Sequence, residues 1–356
     1  MYTNASTLMS VAPPKDGTLK SLASVRFISM TWIAAGHVLL QEVNSGTFQY
    51  NTTLQCTLVY DFPFTDVLKP VLNMRNPLLS TTVTNAFLAV DTFFVLSGIL
   101  VSYLFFKGKP TKRLVKNWLT WVMYYVHRYI RLTPPVMAFI GFLVTFDPLI
   151  NGPWSKSMVI ESLNQNFTLC KDYWWRNILY INNFFKSSEG CYTITWYLAV
   201  DTQLYVVAPI FLITLFISTF AGLAVILVGI VASVGYVYAI TLHYSYPAII
   251  IGGNLNFAKI DEFFDKYYDK PWTRCPPYLI GIAVGYCLAL GRKPKMNKGV
   301  IAALWIAATA IALASLYGPH RYIKGAEIWR CVFSIIVILN YFAFDTLVLI
   351  MQGITA

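Results

Sequence analysis

The sequence predicts an all-α membrane protein: a polytopic bundle of about eight transmembrane helices, folded as a single domain over residues 1–356. Three observations predict it. The chain is 57% hydrophobic and 12% charged, whereas a soluble domain carries about 25% charged residues. Its mean hydropathy is +0.57. Apolar stretches of about 20 residues, long enough to cross a hydrocarbon core as a helix, follow one another along it. An open sheet exposes unpaired backbone to lipid, so the spans are expected to be helices.

The first span, 22–42, lies in SLASVRFISMTWIAAGHVLLQEV. It holds Arg26 and His37 and therefore reads as a span rather than a cleaved signal peptide. The second is 84–106 and the third 130–148. Before the third comes LVKNWLTWVMYYVHRYIR, which mixes Trp and Tyr with Lys and Arg and reads as an interfacial helix leading into the bilayer. Pro134 and Pro135 are then expected to kink or break the chain. Spans follow at 195–217, 223–243, 274–291, 299–317 and 328–351.

The net charge of +11 sits in short loops beside spans, which is not a nucleic-acid signal. The loops KGKPTKRLVKN and GRKPKMNK are strongly basic, and the positive-inside rule places both, and the N-terminus of the chain, in the cytosol. The segments 43–83, 149–194, 244–273 and 318–327 then face the lumen or exterior, as expected of an integral protein of the plasma membrane or endoplasmic reticulum. The glycosylation sequons at Asn51 and Asn166 fall in those segments. So do the disulfide candidates Cys56, Cys170, Cys191 and, at the edge, Cys275. Cys170 and Cys191 share one loop and form the favoured pair, although connectivity is not fixed by spacing.

Ionisable residues within a span are costly and mark working sites. Arg26 and His37 are eleven residues apart. That is about three helical turns, so the two share a face some ~16 Å apart. Counting along the spans places His37 about 22 Å, and Asp91 and Asp201 about 20 Å, above the cytosolic edge. One imidazole and two carboxylates are thus expected in one buried layer, where a carboxylate fixes the tautomer of a histidine acting as general base. The alternative is a satisfied core histidine with structural acids. His127, Arg128 and Arg131 form a second cluster, HRYIR, in which the arginines share a helix face. With Arg26, Lys107, Lys109, Lys112, Arg113 and Lys116 they make a cationic cytosolic mouth suited to the phosphates of a donor. Anchoring to anionic headgroups is the alternative, and it explains the loop lysines better than Arg128 and Arg131. The chain has no P-loop, GxGxxG, HExxH or GxSxG motif, and no zinc spacing among its cysteines. Its four scattered histidines argue against a metal site.

The stretches SVRFISMTWIAAGH, VDTFFVLSGILVSYLFF, HRYIRLTPP, CYTITWYLAVDTQLYVVAPIF and PWTRCPPYLIGIAVGY, spread over 20–290, carry a resemblance. The chain resembles the membrane acyltransferase 3 family and, within it, the nose resistant to fluoxetine proteins of nematodes and insects. The resemblance implies transfer of an acyl group from cytosolic acyl-CoA, acetyl-CoA or longer, to a hydroxyl on a lipid, sugar or small molecule. It implies His37 as the catalytic histidine, Arg26 as its motif partner, and Arg128 with Arg131 as an R-x-x-R pair for the donor. Ser97 and Gly98 belong to the FFVLSG string after Asp91. Asp201, Gln203 and Tyr205 match W-x-L-x-x-E-x-Q-x-Y, with aspartate in place of glutamate. Two departures stand out. The cysteine-containing extracellular domain that animal members carry is missing ahead of this region, and about ten spans are usual, so the chain reads as shortened. The competing expectation is a non-enzymatic protein that binds or moves lipids or xenobiotics. The cationic mouth aligned with a deep histidine favours the enzyme.

Overall fold

The computed structural model describes residues 20–44, 81–83, 85–146, 169–186, 189–244, 260–291 and 297–318. Asn51, Asn166, Cys56 and the eighth expected span lie outside the described residues. In chain order the helices are α1 (Lys20–Asn44), α2 (Phe87–Lys107), α3 (Lys112–Lys116), α4 (Trp118–Phe146), α5 (169–178), α6 (Trp196–Ile217), α7 (Thr219–Tyr244), α8 (Ile260–Phe263), α9 (Pro271–Ala289) and α10 (Lys298–Tyr317). A π-helical turn, Phe264–Tyr268, joins α8 to α9. No strand occurs among the described residues. Four helices, α2, α4, α6 and α7, are long and apolar enough to cross a membrane.

Helix α4 differs from the expectation. Its 29 residues run continuously through Pro134 and Pro135, and the Trp- and Tyr-rich stretch expected to lie in the interface forms its N-terminal part. Two prolines remove two backbone donors, a loss that spanning helices tolerate through local adjustment and neighbouring side chains. The consequence is positional. Arg128 stands ten residues inside α4, about 15 Å from its start, and not at the base of a span.

Lipid tails are as apolar as leucine, so helices in a bilayer associate through close packing and polar pairs rather than through hydrophobic burial. The α2–α9 contact shows this. A Cβ on Gly98 would stand 2.2 Å from the Tyr278 carbonyl oxygen. One on Gly281 would stand 2.3 Å from that of Val95, and one on Gly285 2.4 Å from that of Ile99. Gly281 and Gly285 are four residues apart, one turn along one face, so the two backbones approach directly. Around this contact Phe94, Val200, Leu204, Leu212, Tyr278 and Ile282 bury a core shared by α2, α6 and α9. Helix α1 runs antiparallel along α2. Leu22 packs with Val95, Leu96 and Ile99, Thr92 Oγ1 donates to Ser29 Oγ at 2.7 Å, and Gly36 abuts Ala86. A disulfide joins Cys170 in α5 to Cys191 just before α6, while Cys275 keeps its thiol.

Gly98→Val and Gly281→Val should each lower stability by about 1–3 kcal/mol or abolish folding, because the backbones must separate. Gly141→Ala, with open space around its Cβ position, should be neutral. Thermal unfolding in detergent, read by size-exclusion fluorescence, checks the contrast.

Candidate active site

A carboxylate inside an apolar bundle must find a cation or lose its charge. Asp91, near the start of α2, meets Arg274 in the first turns of α9. Arg274 Nη1 donates to Asp91 Oδ1 at 3.0 Å and to Oδ2 at 3.2 Å, and both residues are buried. The Arg274 Nε donates to the Tyr268 carbonyl at 3.1 Å, and the guanidinium lies 4.3 Å over the Tyr268 ring. Thr273 Oγ1 donates to the Tyr267 carbonyl at 2.6 Å, so the π-helical turn presents its carbonyls to the start of α9. Arg274 was not among the residues singled out from sequence. Its signal was present nonetheless, an arginine heading an apolar segment that elsewhere offers Asp91 an unmatched charge.

The second carboxylate, Asp201 on α6, is paired with Arg128 on α4. The Arg128 guanidinium also lies 4.1 Å over the Tyr205 ring. Tyr205 in turn stacks on Tyr124 with centroids 4.0 Å apart and planes 4° from parallel. Tyr124 Oη donates to the Tyr205 carbonyl at 3.5 Å, and Tyr205 Oη to that of Tyr124 at 3.4 Å. Asp201 and Tyr205, four apart, therefore use one face of α6 to hold α4. Gln203, between them, turns the other way. Its Nε2 donates to Asn183 Oδ1 at 2.7 Å and to the Tyr180 carbonyl at 2.8 Å, and its Oε1 accepts from Asn183 Nδ2 at 3.1 Å. Asn183 Nδ2 reaches the Asp269 carbonyl at 2.9 Å, and its own carbonyl accepts from Lys270 Nζ. The three motif residues thus lock α6 to α4 and to the segment that precedes α9. The shorter aspartate side chain still reaches Arg128.

The two arginines of R-x-x-R have different fates. Arg128 is half-buried and engaged, whereas Arg131 is exposed. Ser97 is half-buried beside Gly98, whose role is the backbone contact with α9.

The register between helices sets the heights. Gly36 against Ala86, with Ser29 at Thr92, puts His37 about 8 Å beyond Asp91 toward the N-terminal end of α2. Tyr197 packs on Phe93 and Phe94, with centroids 6.3 and 4.9 Å away. Asp201, one turn further on, then lies about 10 Å from Asp91 in the opposite direction. His37, Asp91 and Asp201 therefore occupy three heights and not one layer. Counting from span ends assumed a common starting plane, but α6 begins level with the second turn of α2. His37 is exposed and has no hydrogen-bond or ionic partner among the described residues. Arg26 is also exposed.

Ahead of α9, burial pushes the Asp269 carboxyl up to about 7, although Arg274 and Lys270 pull it down. Its Oδ1 is enclosed without a hydrogen-bond partner among the described residues. Burial likewise lowers the ammonium of Lys270, against the pull of Asp269 and Asp265. The raised carboxyl binds its proton more tightly in the folded chain than in the unfolded one. Its contribution to stability is therefore complete below about pH 4 and is lost as pH rises to about 7. Relative to Asp269→Asn, the wild-type melting temperature should fall across that window and run parallel above it.

The acyltransferase 3 family, described as an acyltransferase domain, matches residues 19–355. The chain is 32% identical over 361 residues to the Caenorhabditis elegans protein named Nose resistant to fluoxetine protein 6, covering 94% of this chain and 41% of that protein. It is 24% identical over 330 residues to Regulator of hypoxia-inducible factor 1 of the same nematode, covering 85% and 57%. A Staphylococcus aureus protein named as a candidate O-acetyltransferase is 30% identical over 138 residues, covering 38% and 21%. The chain thus spans less than two thirds of each of these relatives, and no solved structure matches it. With nearly the whole chain matched, and with the R-x-x-R and D-x-Q-x-Y residues placed as above, this protein belongs to the acyltransferase 3 family.

Proposed function

We propose that this membrane protein is an O-acyltransferase that moves an acyl group from cytosolic acyl-CoA to a hydroxyl acceptor within or across the membrane. One observation carries the reading. His37 stands exposed on α1 with no partner among the described residues, and Arg26, three turns away along the same helix, is exposed as well. An open base and an open cation at the two ends of one helical stripe suit a donor that docks by its phosphates and extends its thioester along α1.

In the reaction, the acceptor hydroxyl oxygen attacks the thioester carbonyl carbon. His37 takes the hydroxyl proton. The new C–O bond forms as the C–S bond breaks, and the proton leaves with the CoA sulfur. Arg26 and Arg131, both exposed, are the forks for the phosphates. Arg128, Asp91 and Asp201 act as positioning residues, because their charges are already engaged. The acceptor is a hydroxyl-bearing lipid, sugar or small molecule, and neither a metal nor a nucleic acid has a part in the step.

In nanodiscs supplied with acyl-labelled acetyl-CoA and longer acyl-CoAs, label should move to an acceptor, and His37→Gln should cut the rate by about 10²–10⁴-fold with the fold intact. Near-normal transfer by His37→Gln would make the histidine structural. Arg131→Ala should weaken donor binding by about 1.5–3 kcal/mol, and Arg131→Lys should restore little, since a point charge lacks the fork. Unchanged donor binding would return Arg131 to membrane anchoring. A second reading, binding or movement of lipids or xenobiotics without transfer, is favoured by the name of the nematode relative, which speaks of fluoxetine and not of acyl groups. Binding of a hydrophobic ligand without any transfer of label would select it.

A further inference from the structure

Between Asp91 and Asp147 the chain has no acidic residue, yet Lys107, Lys109, Lys112, Arg113 and Lys116 fall within ten positions. The structure places these cations on a compact connection between α2 and α4, both long and apolar enough to span a membrane. Residues 108–117 therefore lie at the membrane surface.

The connection is built and anchored. Lys109 takes a left-handed backbone, φ 46°, which turns the chain directly after α2. The Thr111 hydroxyl caps α3, accepting from Leu114 N at 3.3 Å. Trp121 Nε1 donates to the Val115 carbonyl at 2.9 Å, and its ring stacks on Phe105 with centroids 5.9 Å apart. The end of α3 is thus pinned to α2 and α4 together. Lys109, Lys112, Arg113 and Lys116 are all exposed. Beside them Leu114 is 45% exposed, Leu119 50% and Trp118 72%. Such a combination, an interfacial tryptophan and leucines next to exposed cations, fits neither water alone nor hydrocarbon alone. It matches the boundary where acyl chains meet headgroups.

We propose that α3 with the start of α4 is a docking surface for anionic phospholipid headgroups. Lys112, Arg113 and Lys116 face the phosphates while Leu114, Trp118 and Leu119 enter the acyl-chain region. Charge complementarity selects the occupant, since the connection carries cations and no acid of its own sequence and the cytoplasmic leaflet carries the membrane's anionic lipid. The assignment also separates this surface from the donor site, which rests on Arg26 and Arg131, so it stands or falls independently of acyl transfer.

The test reconstitutes the full chain in discs of phosphatidylcholine with phosphatidylserine as the minor component, then quantifies the phospholipid retained after gentle extraction into detergent. Each basic contact near the surface is worth roughly fivefold. Wild type should retain phosphatidylserine enriched about tenfold or more over the disc composition, and added salt should reduce that enrichment because the contacts are exposed. The variant Lys112→Gln/Arg113→Gln/Lys116→Gln should fall to the disc ratio with an unchanged melting temperature, and it keeps Lys107 and Lys109 to hold orientation. Replacing Lys112 and Lys116 by arginine should preserve the enrichment. Three results would overturn the proposal: equal retention by the triple variant, enrichment insensitive to salt, or displacement of the retained lipid by saturating CoA, which would hand the surface to the donor.

Discussion

Two arginine–aspartate pairs inside the bundle, one fully buried and one partly, organise this molecule. Placing a carboxylate in an apolar bundle costs several kcal/mol unless a cation meets it with good geometry, and here each carboxylate is met from a different helix. Asp91 and Arg274 tie α2 to α9, while Asp201 and Arg128 tie α6 to α4. The bilayer supplies no hydrophobic force between helices, so these pairs and the glycine contacts of α2 with α9 fix the register. A one-turn slip of α9 would part Arg274 from Asp91 and drive Gly281 off the Val95 carbonyl in the same movement. Aromatic rings reinforce both pairs. Tyr268 and Trp196 border the Arg274 guanidinium, and Tyr205, stacked on Tyr124, borders that of Arg128.

The pairs also divide the charged residues into two kinds. Asp91, Asp201, Arg128 and Arg274 are spent on one another, and their replacement is felt first as a loss of structure. Arg26, Arg131 and His37 remain exposed. Two arginines three residues apart in one motif thereby serve different ends, because α4 turns one toward α6 and leaves the other outside. Gln203 extends the brace outward through Asn183 to the segment carrying Asp269 and Lys270. That segment is thereby tied to α6 by hydrogen bonds.

Much of this was legible in the sequence. Hydropathy and the scarcity of charge gave helices, and α2, α6 and α7 fall close to the spans read from composition. Arg26 and His37, eleven residues apart, both emerge exposed on α1. Cys170 and Cys191 lay in one loop and are joined. What was not legible depended on how helices sit against one another. Span-end counting gave Asp91 and Asp201 one depth, but α6 starts about two turns further along α2 than such counting assumes. Proline suggested a break in α4, whereas the helix runs continuously through Pro134 and Pro135. Arg274 and Asn183 escaped notice because each takes its role from a partner distant in the chain, Asp91 and Gln203 respectively, and no local pattern marks such a meeting.

A double-mutant cycle on Arg128 and Asp201 tests this account most directly, with unfolding free energies measured by detergent titration in bicelles. Arg128→Met should cost about 3–5 kcal/mol, because it leaves the buried Asp201 unpaired, and Asp201→Leu should cost less, because the half-buried Arg128 keeps some access to solvent. The double variant should recover to within about 1 kcal/mol of the wild type, since two apolar side chains of similar size replace the pair. Losses that simply add in the double variant would show that the two charges do not depend on each other, and that something other than the pair sets the register of α4 on α6.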